Sequence, residues 1–136
     1  MACWLMKSEP DVYSWSDLVR DKRSAWDGVR NYQANNNMKA MKKGDEAFFY
    51  HSNEDRAAVG IMKVVGEWRP DPADKTGRFG MVEVAPVRAL ERPLPLVEIK
   101  EDPLLKKMAF VRQGRLSVSP VTAEEWRTLL KLAQSR

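Results

Sequence analysis

The sequence predicts an α+β domain in which five or six strands form a curled sheet or a small open barrel, with short helices at its periphery. Three observations lead there. Strand-like apolar runs alternate with short helical patterns along the whole chain. No internal repeat, low-complexity tract or long linker divides its 136 residues. That length suits one domain that buries most of its apolar surface without covalent staples.

The elements follow in order. Ala2 to Lys7 is apolar and aromatic and ends at Ser8-Glu9-Pro10, as a short first strand would. Proline pushes Glu9 towards extended backbone and turns the chain. Ser14 with Asp17 marks a helix start, and a helix to about Asp21 places Trp15, Leu18 and Val19 on one side. Trp26 to Arg30 reads as a loop. Asn31 then caps a second helix to about Lys42, with Tyr32, Met38 and Met41 as buried positions and Gly44 as its stop.

Glu46 to Ser52 is a strand, Asn53-Glu54-Asp55 is turn chemistry, and Ala57 to Trp68 is a return strand apolar enough to be covered on both faces. A polar loop from Pro70 to Gly77 precedes a strand from Phe79 to Arg88, and Arg92-Pro93-Leu94-Pro95 breaks the pattern. Leu96 to Glu101 forms a helical turn, and Asp102-Pro103 opens another. A strand from Arg115 to Val118 ends at Ser119-Pro120. Thr122 to Gln134 is the clearest helix, opened by a Thr122/Glu125 capping box and carrying Trp126, Leu129, Leu130 and Ala133 as a core stripe.

Composition removes many function classes. One cysteine, Cys3, excludes an intrachain disulfide and a cysteine-based zinc cluster, and one histidine, His51, cannot build a histidine-based metal site. A Cys3–His51 nucleophile would need the two side chains to meet in the fold. There is no phosphate-binding glycine loop, dinucleotide fingerprint or His-Glu metal helix. Asp71 and Asp74 are better read as solvated turn residues than as paired catalytic carboxylates. No cofactor is implied. The N-terminus shows no signal peptide and no run reaches membrane-spanning length, so the expectation is a cytoplasmic protein with no membrane partner, monomeric by default.

Net charge is +4, unevenly placed: residues 1–68 carry ten bases and ten acids, residues 69–136 thirteen bases and nine acids. Lys106, Lys107, Arg112 and Arg115 fall in a stretch between Pro103 and Ala123 that has no acid. This is either a phosphate-facing edge or a solvated face.

Trp26-Asp27-Gly28-Val29-Arg30-Asn31-Tyr32-Gln33-Ala34-Asn35-Asn36-Asn37 holds two aromatics, an arginine and a run of amides. It is poor core composition. Either it is a surface loop whose aromatics are anchored in the core, or it presents flat and hydrogen-bonding groups to a planar ligand. Lys7-Ser8, Tyr50-His51-Ser52 and Leu116-Ser117-Val118 can converge with it on a pocket of nucleobase type.

These residues carry a resemblance. Trp4-Leu5-Met6-Lys7-Ser8-Glu9-Pro10, Trp26 to Ala34, Phe49-Tyr50-His51-Ser52, and Leu116-Ser117-Val118 with Pro120-Val121 and Trp126 look like the EVE domain family, over essentially the whole chain. The resemblance implies a PUA-like fold, a compact β-barrel with peripheral helices. It also implies binding of DNA or RNA that contains a modified base, modified cytosine in DNA foremost. The pocket so implied comprises Lys7, Ser8, Trp26, Val29, Asn31, Tyr32, Tyr50, His51, Ser52 and Ser117. Trp26 and Tyr32 would be its walls, Ser8, Asn31 and Ser52 would bond the base edge, and Arg30, Lys106, Arg112 and Arg115 would meet phosphates. The family pattern expects arginine after Tyr32-Gln33-Ala34, where this chain has Asn35; that predicts weaker phosphate contact. Two other readings stay open: a small hydrolase acting on an acylated nucleoside through Lys7 and Glu9, by analogy with the related ASCH domains, and a protein-interaction domain with an exposed apolar patch. No catalytic residue is assigned.

Overall fold

A computed structural model of the chain describes residues 2–53 and 56–134. In chain order the elements are β1 (Cys3–Ser8), α1 (Trp15–Asp21), β2 (Ser24–Trp26), α2 (Tyr32–Ala40), β3 (Glu46–His51), β4 (Ala57–Pro70), β5 (Gly80–Pro95), α3 (Leu96–Glu101), a 3-10 turn (Leu105–Lys107), α4 (Ala109–Arg112), β6 (Val118–Val121) and α5 (Ala123–Gln134). Six strands form one mixed sheet in the order β2-β5-β4-β3-β1-β6. β1 and β3 run parallel, Cys3 beside Glu46 and Ser8 beside His51, and every other pair is antiparallel.

The central strands are apolar nearly throughout because both faces are covered. Alternation sends Trp4, Met6 and Phe49 to one cluster with Leu18, Trp26, Met38, Met62, Val84 and Leu116. It sends Leu5, Phe48 and Tyr50 to the other, with Ile61, Leu94, Phe110, Trp126 and Leu129. The start of β4 supplies both, as expected: Ala58 and Ile61 face one cluster, Met62 and Val64 the other.

The sheet curls without closing through strand pairing, and α2 spans the gap between its ends. Asn37 Nδ2 donates to the Val118 carbonyl in β6 at 2.7 Å. On the other side Asn35 Nδ2 donates to the Arg78 carbonyl at 3.0 Å, and its Oδ1 accepts from Gly80 N at 3.0 Å and from Trp68 Nε1 at 2.9 Å. Asn35 is 2% exposed. It is a latch between α2, β4 and β5, so this position has no side chain free to meet phosphate.

The helix-start signals hold. Ser14 and Asp17 form a reciprocal capping box, as do Thr122 and Glu125. Asn31 Oδ1 accepts from Ala34 N at 2.9 Å. Asp102 Oδ1 accepts from Leu104 N and Leu105 N, but the turn it opens is 3-10.

Several boundaries differ from the sequence reading. Ser24 to Trp26 is a strand, held by its pairing with Val82 to Val84. α2 stops at Ala40 because Asp45, buried at the following turn, accepts from Lys42 N at 3.0 Å and Trp4 Nε1 at 3.1 Å and draws Met41 into extended backbone. β5 continues through Pro93 and Pro95, still paired with β4. β2 pairs only with Val82 to Val84, so the later part of β5 is an edge, where proline is tolerated. The same holds for Pro120: β6 pairs only with β1 and spans Ser119-Pro120 instead of ending there. Val19 is 49% exposed and Tyr32 58% exposed, so neither is core. The expected turn at Glu54-Asp55 lies outside the described residues. No helix among the described residues is long and apolar enough to cross a membrane.

Candidate functional site

The parallel pairing of β1 with β3 brings the ends of both strands together, and a cleft of about 710 Å³ opens there. Its volume falls in the range of small-molecule sites. Two backbone bonds tie its walls: Lys7 N donates to the Ser117 carbonyl at 2.8 Å, and Ser52 N to the Ser8 carbonyl at 2.9 Å. Opposite lie β2 and the loop that follows it, from Ser24 to Arg30.

Each side chain is held for a local reason. The Lys7 ammonium donates to the Gly114 carbonyl at 2.9 Å and to the Phe110 carbonyl at 3.4 Å. Burial lowers its pKa below the ordinary lysine value. Ser8 Oγ donates to the Tyr13 carbonyl at 2.6 Å, fixing the turn that brings Tyr13 to the rim. Trp26 is 8% exposed and meets Phe49 edge-on, ring centres 5.4 Å apart. Its indole nitrogen donates to no group among the described residues, so its donor is available to a ligand in the cleft.

The loop Asp27-Gly28-Val29-Arg30 hangs from one carboxylate. Gly28 adopts φ 78°, the left-handed region that suits glycine. Its N–H donates to Asp71 Oδ2 at 3.0 Å, the same oxygen that receives Arg30 Nη1 at 3.2 Å, while Ala73 N donates to Oδ1 at 2.9 Å. Asp71 is buried, not a solvated turn residue as the sequence suggested. The Gly28 backbone bond, then that of Ala73, hold its carboxyl below the usual range, with Arg30 adding. Asp74 does stay at the surface and accepts from Thr76 and from Phe79 N. Those bonds, that of the Thr76 hydroxyl first, lower its pKa to about 2.

A depressed carboxyl stabilises the fold above its unfolded pKa, near 3.9, and that contribution fades as pH falls through the lower folded value. Asp71→Asn is therefore expected to lower stability at pH 7 by about 1–3 kcal/mol. The variant should also lose less of its remaining stability than the parent between pH 5 and pH 2. Denaturant titrations at the two pH values measure this; parallel losses would mean that Asp71 does not anchor the loop.

Of the ten sequence candidates for the pocket, Lys7, Ser8, Trp26, Val29, Ser52 and Ser117 line this cleft, and Arg30 and Arg115 join them from the basic set. The other four do not. Asn31 is spent on capping α2. Tyr32 lies outside, its ring 4.9 Å from that of Phe79 and its hydroxyl accepting from Arg78 Nη1 at 3.3 Å. His51 Nε2 accepts from Trp15 N at 3.1 Å and so positions α1. Tyr50 faces a separate, smaller cleft. Lys106 and Arg112 also stand away from the main cleft, with Arg112 Nε donating to the Lys107 carbonyl. Glu9, the partner of Lys7 in the hydrolase reading, lines the cleft as well, and Val12, Tyr13, Ser24, Ala25, Asp27, Gly28 and Gly114, which are not among the sequence candidates, complete the lining. Asp27 and Gly28 sit inside the aromatic and amide stretch that marks the site; Val12, Tyr13, Ser24, Ala25 and Gly114 carry no local signal. Cys3 and His51 do not meet. They lie at opposite ends of the paired strands, about 17 Å apart at the usual rise per residue.

A curled mixed sheet with helices at its rim and a ligand-sized cleft where its two parallel strands end defines a PUA-like domain. The chain belongs to the EVE domain family, whose sequence model matches residues 2–132. Human thymocyte nuclear protein 1 is 39% identical over 96% of this chain and 73% of its own length. Its structure in complex with DNA containing 5-methylcytosine superposes with a TM-score of 0.93, covering 100% of this chain and 99% of that one. A Rhodopseudomonas palustris protein solved by NMR is 45% identical with a TM-score of 0.93, covering 98% and 93%. The YTH domain of Zygosaccharomyces rouxii MRB1, solved with N6-methyladenosine RNA, shares the fold at 11% identity, with a TM-score of 0.63 over 98% of this chain and 87% of that one.

Proposed function

We propose that this protein is a non-enzymatic module that holds a modified base, a modified cytosine in DNA, in the main cleft. The observation that carries the reading is the cleft's mixture of groups. Trp26 and Tyr13 provide aromatic surface, Ser52 and Ser117 provide hydroxyl donors, Glu9, Asp27 and the Ser8 oxygen, whose proton goes to the Tyr13 carbonyl, provide acceptors, and Arg30 and Arg115 are cationic. That set matches a cytosine edge, where N4–H₂ donates to a carboxylate and the ring acceptors take hydroxyl donors. Val12 and Val29 offer apolar contact for a 5-substituent, worth roughly 1–3 kcal/mol for one methyl-sized group. A base reaches such a cleft only after leaving its stack. The human relative's complex with 5-methylcytosine DNA supports the same ligand class. The non-enzymatic reading draws support from Lys7, whose ammonium is engaged by two carbonyl oxygens and forms no ion pair with Glu9 among the described residues.

The test is a titration of tryptophan fluorescence with short single-stranded and duplex DNA and RNA, each containing cytosine or one modified cytosine, at two salt concentrations. Tighter binding of one modified base that persists at the higher salt is the expected result. RNA binding tighter than DNA would redirect the reading to modified RNA. Equal binding of all bases that vanishes with salt would leave only a generic electrostatic surface and end the proposal.

A further inference from the structure

Beside the main cleft lies a second one of about 350 Å³. Lys7, Ser52 and Gly114 line both, so Lys7 stands in the wall between them. The second cleft gathers Arg56 from the start of the β4 hairpin arm and Lys100 from the last turn of α3, and no carboxylate lines it among the described residues. Neither Arg56 nor Lys100 is ion-paired among the described residues. Such a concentration of one sign of charge attracts an anion.

The inner wall adds a second observation. Tyr50 is 3% exposed, and its ring meets Phe110 edge-on at 5.1 Å. Its hydroxyl makes no hydrogen bond among the described residues. Among the described residues the buried side-chain polar atom left without a partner is Ser119 Oγ, so the Tyr50 hydroxyl keeps its access to the cleft and can donate to a ligand there. Burial pushes its pKa up to about 12, so it stays a neutral donor at physiological pH. Lys7 has three N–H groups and gives two of them to the Gly114 and Phe110 carbonyls, which leaves one.

We infer that this second cleft is a phosphate subsite, in which Arg56, Lys100, the Tyr50 hydroxyl and the remaining Lys7 N–H bind the oxygens of a phosphodiester beside the base held in the main cleft. The inference rests on the function proposed above and extends it. Arg56, Lys100 and Lys7 carry donors only, the Tyr50 and Ser52 hydroxyls and the Asn53 amide can add more, and no carboxylate lies among the described lining residues; that excess of donors and positive charge suits an anion better than a nucleobase edge, which needs acceptors as well. Charge-assisted bonds from a guanidinium and an ammonium are the strong ones for phosphate oxygens. The shared Lys7 wall places the subsite next to the base site, so one strand can occupy both. The same chemistry would also take a free phosphate monoester, and the experiment separates the two sources.

The test uses the full chain, the Arg56→Gln/Lys100→Gln double variant and, as a smaller change, Tyr50→Phe. Binding is followed with the free modified nucleoside, a single-stranded oligonucleotide containing it, and inorganic phosphate. Amide shifts of Tyr50, Arg56 and Lys100 are read by NMR in each titration. In the double variant, nucleoside affinity should be unchanged, while the slope of log K against log salt for the oligonucleotide should fall in magnitude by roughly 1.4, the share of two single-strand phosphate contacts. Tyr50→Phe should weaken oligonucleotide but not nucleoside binding. Shifts at the three amides with inorganic phosphate alone, and none with the oligonucleotide, would keep an anion site but assign it to free phosphate, overturning the strand contact. An unchanged slope with silent amides in every titration would overturn the subsite while nucleoside binding left the base-reading function standing. Loss of nucleoside binding in the parent, with the amides still shifting, would end the base-reading function and leave the phosphate subsite.

Discussion

Trp26→Ala is expected to lower stability by about 3–5 kcal/mol and to abolish base-dependent binding at the same time. The indole is nine-tenths buried, packs edge-on against Phe49 and belongs to the cluster that fills one face of the sheet. It also lines the main cleft. Truncation therefore leaves a cavity in the core and removes a wall of the site. Against a total stability of order 5–15 kcal/mol, the variant stays folded at low temperature but with a small margin. Trp26→Phe separates the two roles. It keeps an aromatic ring against Phe49 and removes the indole N–H, so stability should fall much less than for alanine, while binding of the modified base weakens measurably. Denaturant unfolding followed by circular dichroism reports the first quantity, and a competition titration with labelled oligonucleotide reports the second. An alanine variant as stable as the parent would show that Trp26 is not core; a phenylalanine variant with parental affinity would show that the indole donor does not reach the ligand.

That dual role marks how far the sequence could be read. Strands β1, β3 and the start of β4, both capping boxes and the core stripe of α5 were legible because their signals are local: apolar runs, serine or threonine three residues before an acid, and helical spacing. β2 was not, since three residues carry no periodicity and only pairing with Val82 to Val84 makes them a strand. Pro93, Pro95 and Pro120 look locally like breakers, but tolerance of proline depends on lying at a sheet edge, which is a property of topology. The same limit applies to the site. Lys7, Ser8, Ser52 and Ser117 could be gathered from their places at strand ends. Which of Tyr50 and His51 faces which side depends on how β3 sits between β1 and β4, and the structure sends Tyr50 to the second cleft and gives His51 to the first turn of α1. Asp71, which anchors the loop at Gly28, is 43 residues away in sequence and reads locally as an ordinary turn acid.

Asn35 gives the second large effect. Arginine is the residue that the family pattern leads one to expect at this position, and the simple substitution argument says that Asn35→Arg should strengthen contact with phosphate. The structure predicts the opposite. Asn35 is buried and uses both ends of its amide: Oδ1 accepts from Trp68 Nε1 and Gly80 N, and Nδ2 donates to the Arg78 carbonyl. Truncation to alanine strands two donors and one acceptor, each costing about 1–3 kcal/mol where water cannot replace the partner. Trp68 is only partly buried, so its indole recovers some of this from solvent; a net loss of about 2–4 kcal/mol follows. Arginine adds a charge that must leave the core, and it carries no acceptor for Gly80 N or Trp68 Nε1. Because Asn35 and Asn37 bridge α2 to opposite ends of the curled sheet, the damage spreads beyond the helix. Hydrogen exchange should therefore show loss of protection at Gly80 in β5, next to the broken bonds, and along α2. Asn35→Arg should bind nucleic acid no more tightly than the parent. A stable arginine variant with a steeper salt dependence would show instead that α2 can shift to bring position 35 to the surface, and that the latch is dispensable.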